Sequence, residues 1–196
     1  PGEEETKRQR ETEFAFAPLV SILVPAYETP EPFLRQLMDS VLSQSYGRLE
    51  LCIADGSPSD RVERIAQEYA RRDSRVRYRK LSENLGISGN TNAALELASG
   101  EYVGLLDHDD LLLPNDGEPV DAVYTDEDKL DPERNRHFQP HFKPDFNPEY
   151  LRSNNYICHF FLVKREIALE AGGFREEFDG AQDHDFILRC TENARR

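Results

Sequence analysis

The chain has 196 residues, 38% of them hydrophobic and 32% charged, with a formal net charge of −14. That length suffices for one soluble domain with a substantial core, and no run of about 18 apolar residues offers a bilayer span. The surplus of acid argues against a nucleic-acid partner, because phosphate backbones repel such a surface; it suits plain solubility or carboxylates gathered around a divalent cation.

The opening PGEEETKRQRETEF is charged throughout, unlike a signal peptide, and residues 1–17 read as a linker. LVSILVPAY (residues 19–27) is a run of β-branched and apolar residues, the pattern of a strand buried on both faces. In the next segment Phe33, Leu34, Leu37, Met38, Val41 and Leu42 recur at helical spacing, and Thr29 before Pro30 suits a helix start. Leu49–Ala54 predicts a second strand. Val62, Ile65, Ala66 and Tyr69 predict a second helix, with Asp60 and Glu63 spaced as a capping box. VRYRKL predicts a third strand, and GISGNTNAALELASG a helix closed by Gly100. EYVGLL and DAVYTD predict a fourth and fifth strand. Beyond them the pattern loosens, with one strand expected over 157–163, a helix over 165–171 ended by Gly172-Gly173, and a last helix opened by Asp183 and Asp185. Cys52, Cys158 and Cys190 show no CxxC spacing and read as buried free thiols of a reducing compartment.

Strands alternating with helices imply an α/β fold with a mostly parallel, doubly wound sheet, whose ligands bind beyond the carboxyl ends of the strands. Those ends carry Pro25-Ala26-Tyr27-Glu28, Asp55-Gly56-Ser57, Asn84-Leu85-Gly86, Asp107-His108-Asp109-Asp110 and Thr125-Asp126-Glu127-Asp128. Only PNDGEPVD separates Leu113 from Ala122, less chain than a parallel crossover needs, so chain is expected to be missing near 115–118.

Asp107 and Asp109 can place two carboxylates around one hard ion such as Mg²⁺ or Mn²⁺, or can decorate a loop. Asp55 can accept from a nucleotide base or close an Asx-turn, and Tyr27 can stack on a base. Asp183 and Asp185 can complement a helix dipole, or one can serve as a general base. His159 can be a hydrogen-bonded, half-buried histidine or a ligand to metal or diphosphate. No GxGxxG follows the first strand and no GxxxxGK[ST] occurs, so dinucleotide and P-loop readings lose their main motif.

VSILVPAYETPEPFLRQLMDSVLSQSYGRLELCIADGSPSD, ENLGISGNTNAALELASGEYVGLLDHDDLLLP and GGFREEFDGAQDHDFILR, in that order, resemble the GT-A glycosyltransferases of family 2, over about Pro18 to Arg189. VYTDEDKLD and FKPDFNPEYL resemble the branch that builds bacterial surface polysaccharides. The resemblance implies a Rossmann-like GT-A domain over 18–196, with a nucleotide-binding half at 18–114 and an acceptor-side half at 120–196. It implies that Pro25, Ala26, Tyr27, Glu28, Asp55, Asn84, Gly86 and Asp107 bind the nucleotide. Asp109, Asp107 and His159 would hold Mg²⁺ or Mn²⁺. Asp183 would be the general base, and Asp126, Glu127 and Asp128 would lie near the acceptor. The implied partners are a nucleotide-diphosphate sugar and a saccharide or lipid-linked saccharide. The implied location is cytoplasmic, including peripheral association with the inner face of the membrane. Three departures stand against the pattern. Ala54 replaces the first acid of DDGS, Gln182 replaces the Glu before the catalytic Asp, and QxxRW is absent from a chain without tryptophan. The last argues against a membrane-embedded polymer synthase. A metal-dependent nucleotidyltransferase or hydrolase and a non-catalytic sugar-nucleotide-binding module remain as alternatives.

Overall fold

The computed structural model describes residues 4, 7, 8, 11, 16–107, 120–131, 134 and 136–194. Among these the central sheet has six strands: β1 (Val20–Ala26), β2 (Leu49–Asp55), β3 (Val76–Lys80), β4 (Tyr102–Leu105), β5 (Ala122–Tyr124) and β8 (Phe161–Lys164). Their order is β3-β2-β1-β4-β8-β5. β3, β2, β1 and β4 are mutually parallel, while β8 runs antiparallel to both of its neighbours. The mostly parallel sheet expected from the alternating pattern is therefore present, with one reversed strand inserted near its edge. A separate antiparallel hairpin pairs β6 (Glu127–Asp131) with β7 (Arg136–His141).

Alternation along β1 builds a core on each face of the sheet. Ile22, Val24 and Ala26 point to one side, where α1 (Glu31–Leu42) contributes Leu34, Leu37, Met38 and Val41 and α2 (Arg61–Ala70) contributes Val62, Ile65 and Ala66. Leu23 points to the other side. There it meets α3 (Gly86–Leu97), α5 (Arg165–Glu170) and α6 (Gln182–Asn193) through residues such as Ala94, Ile167, Phe186 and Cys190. A short helix, α4 (Pro148–Ser153), places Leu151 in the same core. A strand covered on both faces has no polar side to show, which is why β1 and β2 read as near-continuous apolar runs.

Several local expectations need correcting. Pro30, not Thr29, takes the N-cap position of α1, and the Thr29 Oγ1 is buried with no hydrogen-bond partner among the described residues. Asp60 does occupy the N-cap of α2, but with φ −90° and ψ 3° its side chain makes no capping bond. Gly100 does not close α3, which ends in extended Ala98; a Cβ on Gly100 would lie 2.5 Å from the Leu19 carbonyl oxygen, so close backbone approach explains the glycine. The strand expected over 157–163 begins only at Phe161. Its first residues are held by side chains instead: the Lys143 Nζ donates to the Ile157 and His159 carbonyls, and the His159 N–H donates to Glu127. The chain expected to be missing near 115–118 lies outside the described residues, as do His108, Asp109 and Asp110. No helix among the described residues is long and apolar enough to cross a membrane.

Candidate active site

Sheet register decides which residues meet at the carboxyl edge. Leu23 pairs with Leu105 across β1 and β4, Leu105 with Phe161 across β4 and β8, and Tyr124 with Phe161 across β5 and β8. Continuing each strand by two residues sets Pro25, Asp107, His159 and Asp126 side by side. The His159 Nε2 lies 3.5 Å from the Asp107 Oδ2. α6 then brings its first turn over this edge, and one cleft is lined by Pro25, Asp107, Cys158, His159, Gln182 and Asp183 among others.

The two carboxylates of that first turn have different environments. The Asp183 Oδ2 accepts from the Asn155 Nδ2 at 2.9 Å while its side chain faces the cleft. Asp185 is buried and bound by two guanidinium groups, Arg175 and Arg189. Burial raises its pKa, but the hydrogen bonds and charges of the two arginines outweigh burial and hold the carboxyl below its usual range. Asp185 is therefore held as a structural ion, whereas Asp183 lines the cleft. Burial pushes the neighbouring Cys158 thiol up, with Asp183 adding to the shift, so it stays an S–H rather than a thiolate. The Asn155 Oδ1 is buried with no hydrogen-bond partner among the described residues, an unmet acceptor next to Asp183.

At the β1–β2 end, Asp55 is fully buried. Its Oδ1 accepts from the Ser57 N–H at 2.8 Å, the Asx-turn that its spacing allowed, and its Oδ2 accepts from the Tyr78 hydroxyl at 2.8 Å and the Lys80 Nζ at 3.0 Å. Ala26 is its cross-strand neighbour and buries its methyl, so Pro25 and Ala26 can border a ligand mainly through backbone. Tyr27 is 48% exposed, with a ring face open for stacking. Glu28 adopts a positive φ of 49°; its N–H donates to the Ser57 Oγ, and hydrogen bonding by Ser59 keeps its carboxyl below the usual range. The Asn84 Oδ1 accepts from the Gly86 N–H and the Asn90 amide. Gly86 has φ +72° and abuts Asp179: a Cβ there would meet the Asp179 Oδ2 at 2.7 Å. Asp179 also accepts from the Ser88 N–H and hydroxyl, so a protein carboxylate covers the N-terminus of α3.

On the hairpin side, Asp126 accepts from the Lys143 N–H at 2.8 Å and Asp128 pairs with the His137 Nδ1 at 2.9 Å. Glu127 binds the His141 Nδ1 through Oε1 at 2.9 Å and the His159 N–H through Oε2 at 3.0 Å. Of these three acids, Glu127 bonds to the Asp107–His159 edge, through the His159 main chain. Burial raises its pKa, but the His141 ring, the His159 amide and the Lys143 charge outweigh burial and hold it below the usual range.

Sequence reasoning missed Asn155, Lys143, Tyr78 and Lys80. Each sits beside a residue that it picked out; Asn155 and Lys143 lie in no strand-end motif, while Tyr78 and Lys80 belong to the edge strand β3, where they reach Asp55. Lys143, with a side chain only 1% exposed, has no periodic signal that would mark a lysine as buried.

A carboxylate and an imidazole 3.5 Å apart on an open cleft are a donor set that suits a divalent ion keeping positions free for phosphate oxygens. Among the described residues no group of three metal-binding side chains gathers, and Asp109, the expected third donor, lies outside them.

The sequence pattern described as "Glycosyl transferase family 2" matches residues 21–171. The chain is 41% identical over 189 residues to the uncharacterised protein y4gI of Sinorhizobium fredii and 40% identical over 186 residues to the O-antigen biosynthesis protein RfbC of Myxococcus xanthus. Each match covers 89% of this chain but only 20% and 14% of those longer proteins. Among solved structures it superimposes with a TM-score of 0.67 on the mannosyltransferase PcManGT of Pyrobaculum calidifontis in complex with GDP-Man and Mn²⁺, at 22% identity over 98% of this chain and 59% of that one. At that identity the likeness shows the fold alone.

Proposed function

The chain belongs to glycosyl transferase family 2, and from that premise we propose that it moves a hexosyl or deoxyhexosyl group from a nucleotide-diphosphate sugar to an acceptor hydroxyl, with inversion. The observation that carries this reading is one cleft lined both by Asp183, from the first turn of a helix, and by the Asp107–His159 pair, from the adjoining ends of two antiparallel strands. Metal-dependent binding alone would not need a further carboxylate in the cleft, oriented by an amide.

Asp107 and His159, with Asp109, would hold a Mg²⁺ or Mn²⁺ ion; when bound, that ion supplies positive charge next to the diphosphate leaving group. The complex of PcManGT with GDP-Man and Mn²⁺ supports a divalent ion and a sugar-nucleotide donor. Tyr27, Glu28 and the Asp55 turn border the base and ribose. The acceptor hydroxyl enters from the hairpin side, past Asp126, Glu127 and Asp128. Asp183 takes its proton. The acceptor oxygen forms its bond to the anomeric carbon as the bond from that carbon to the diphosphate oxygen breaks, and the electron pair leaves with the nucleoside diphosphate. Asn155 keeps the Asp183 carboxylate turned toward the acceptor. The likeness to the O-antigen biosynthesis protein RfbC supports a role in bacterial surface polysaccharide synthesis; the acceptor on this reading is a saccharide or lipid-linked saccharide, met at the cytoplasmic face of the membrane.

The test is calorimetric titration of UDP, GDP, dTDP and CDP, each with and without Mn²⁺, followed by turnover with the matching sugar nucleotides. Metal-dependent binding of one nucleotide, lost in Asp109→Ala, establishes the donor site. Asp183→Asn then retains that binding and loses about 10²–10⁴-fold in kcat, the usual contribution of a general base. Retained turnover in Asp183→Asn favours a hydrolase or nucleotidyltransferase. No turnover in the wild type with any sugar nucleotide favours a binding module.

A further inference from the structure

We propose that Lys143 and Glu127 form a positioning pair that clamps the main chain of His159 and so sets its ring against Asp107. The inference rests on the reading of Asp107 and His159 as the metal and diphosphate side of the donor site.

Both main-chain polar groups of His159 are taken by this pair. Its carbonyl accepts from the Lys143 Nζ at 2.5 Å, and its N–H donates to the Glu127 Oε2 at 3.0 Å. Lys143 donates again to the Ile157 carbonyl at 2.8 Å, and its Nζ lies 3.7 Å from the Glu127 Oε1. Two of the ammonium's three donors thus meet carbonyl acceptors, and the Glu127 carboxylate lies at ion-pair distance from the charge. The Glu127 Oε1 takes the His141 ring as well, which fastens the pair to β7. Such satisfaction is required, because burying an ammonium without partners costs several kcal/mol.

A fully buried lysine is a costly way to join a polar hairpin to a sheet; apolar side chains of similar volume do this equally well or better. What the charged pair achieves and an apolar contact cannot is control of one residue's backbone. Residues 157–159 precede β8 and lack the ladder bonds that fix a strand residue. Without Lys143 and Glu127 the peptide that carries the imidazole has neither of these partners, and the 3.5 Å approach to Asp107 loses its support. Partners behind a metal ligand commonly matter this way, through orientation rather than contact with the ion. The pair also ties the hairpin, the acceptor side of the proposed reaction, to the donor side.

The test uses Lys143→Met, Glu127→Ala and His159→Ala, with the Kd of the nucleoside diphosphate that the wild type prefers measured by calorimetry with and without Mn²⁺, beside thermal melts. The quantity read is the factor by which Mn²⁺ tightens nucleotide binding. Both clamp variants should lose about 10- to 100-fold of that factor, as His159→Ala does, with the metal-free Kd unchanged within about twofold. A plain structural staple would instead lower the melting temperature and weaken both Kd values alike, and that result overturns the proposal. An unchanged metal factor overturns it too. Should Lys143→Met fail to fold, Glu127→Ala decides, since that side chain is 32% exposed and its removal leaves no cavity in a core. A wild type without any metal factor refutes the donor-site reading itself. A wild-type factor that survives in His159→Ala refutes only the part given to His159.

Discussion

Asp183 and Asp185 lie two residues apart in one helical turn, and the structure gives them different surroundings, so on the proposed function one pair of substitutions should separate stability from activity. In Asp185→Asn the shape is kept and the charge removed. The wild-type Oδ2 accepts from the Arg189 Nε at 3.1 Å and Nη2 at 2.6 Å, and Arg189 in turn holds the Gly173 carbonyl at 2.8 Å behind α5. Arg189 is 18% exposed and Arg175 41%. Removing one partner of a buried ion pair costs about 3–5 kcal/mol, while exposed pairs contribute only about 0–1. The Arg189 side therefore carries most of the loss. Because Arg189 keeps its carbonyl acceptors, we expect about 2–3 kcal/mol, or a melting temperature lower by roughly 5–10 °C for a chain of this length. Asp183→Asn, facing the cleft, should shift stability by less than about 0.5 kcal/mol while lowering kcat about 10²–10⁴-fold. The folded pKa of Asp185 is depressed, so the folded state binds fewer protons than the unfolded one. Its contribution is present above the unfolded value of about 4 and is lost as pH falls through the lower folded value. Urea denaturation across pH 2–7, a window set by about that range, should accordingly show a flatter acid limb in Asp185→Asn. An Asp185→Asn protein that melts like wild type, or an Asp183→Asn protein that melts far below it, would refute the division of roles.

Three further outcomes are expected. Gly56→Ala places a Cβ 2.9 Å from the Asn84 Cα and 3.0 Å from the Asn90 Nδ2, and should cost about 1–3 kcal/mol in urea denaturation together with nucleotide affinity. Asp55→Asn removes the charge facing Lys80 but keeps an acceptor for Tyr78; a stability loss of about 1–3 kcal/mol is expected, and a neutral result would mean that the turn needs no carboxylate. Burial pushes the Cys52 and Cys190 thiols up to about 12, so neither should react with a thiol reagent in the native protein at mildly alkaline pH, and both should react in urea.

What could be read from the sequence follows from what has a period. β1, β2 and the first three helices are covered by sheet or helix along their length, and their apolar spacing shows it. The β6–β7 hairpin has no such record: Arg136–His141 is exposed along its whole length, so no alternation marks it. Cap signals misled because Thr29 and Asp60 fit helix starts by residue type, whereas backbone angle and burial decide whether a side chain reaches an N–H. Strand ends pointed to Asp55 and Asp107, since the fold places ligands there, whereas His159 lay inside the strand expected over 157–163. Choosing between Asp183 and Asp185 needed the two arginines, which lie ten residues before and four after Asp185 and bind it only in three dimensions.

The reversed strand is what gives the edge its chemistry. A parallel β8 would point its far end, Lys164 and Arg165, toward the cleft and carry His159 to the opposite edge. Running antiparallel, β8 presents Cys158 and His159 instead. Its two cations sit at the amino edge of β4, where the Lys164 Nζ pairs with Asp121 at 2.6 Å and the Arg165 Nε donates to the Gly100 carbonyl at 2.9 Å. An exposed lysine beside Asp107 would compete with a divalent ion for the carboxylate. At the amino end of β8 the cation supplied, Lys143, has its side chain buried and spent on two carbonyls and Glu127. On the proposed function, the topology thus sets the His159 imidazole, and not Lys164 or Arg165, 3.5 Å from the carboxylate that would hold the metal ion.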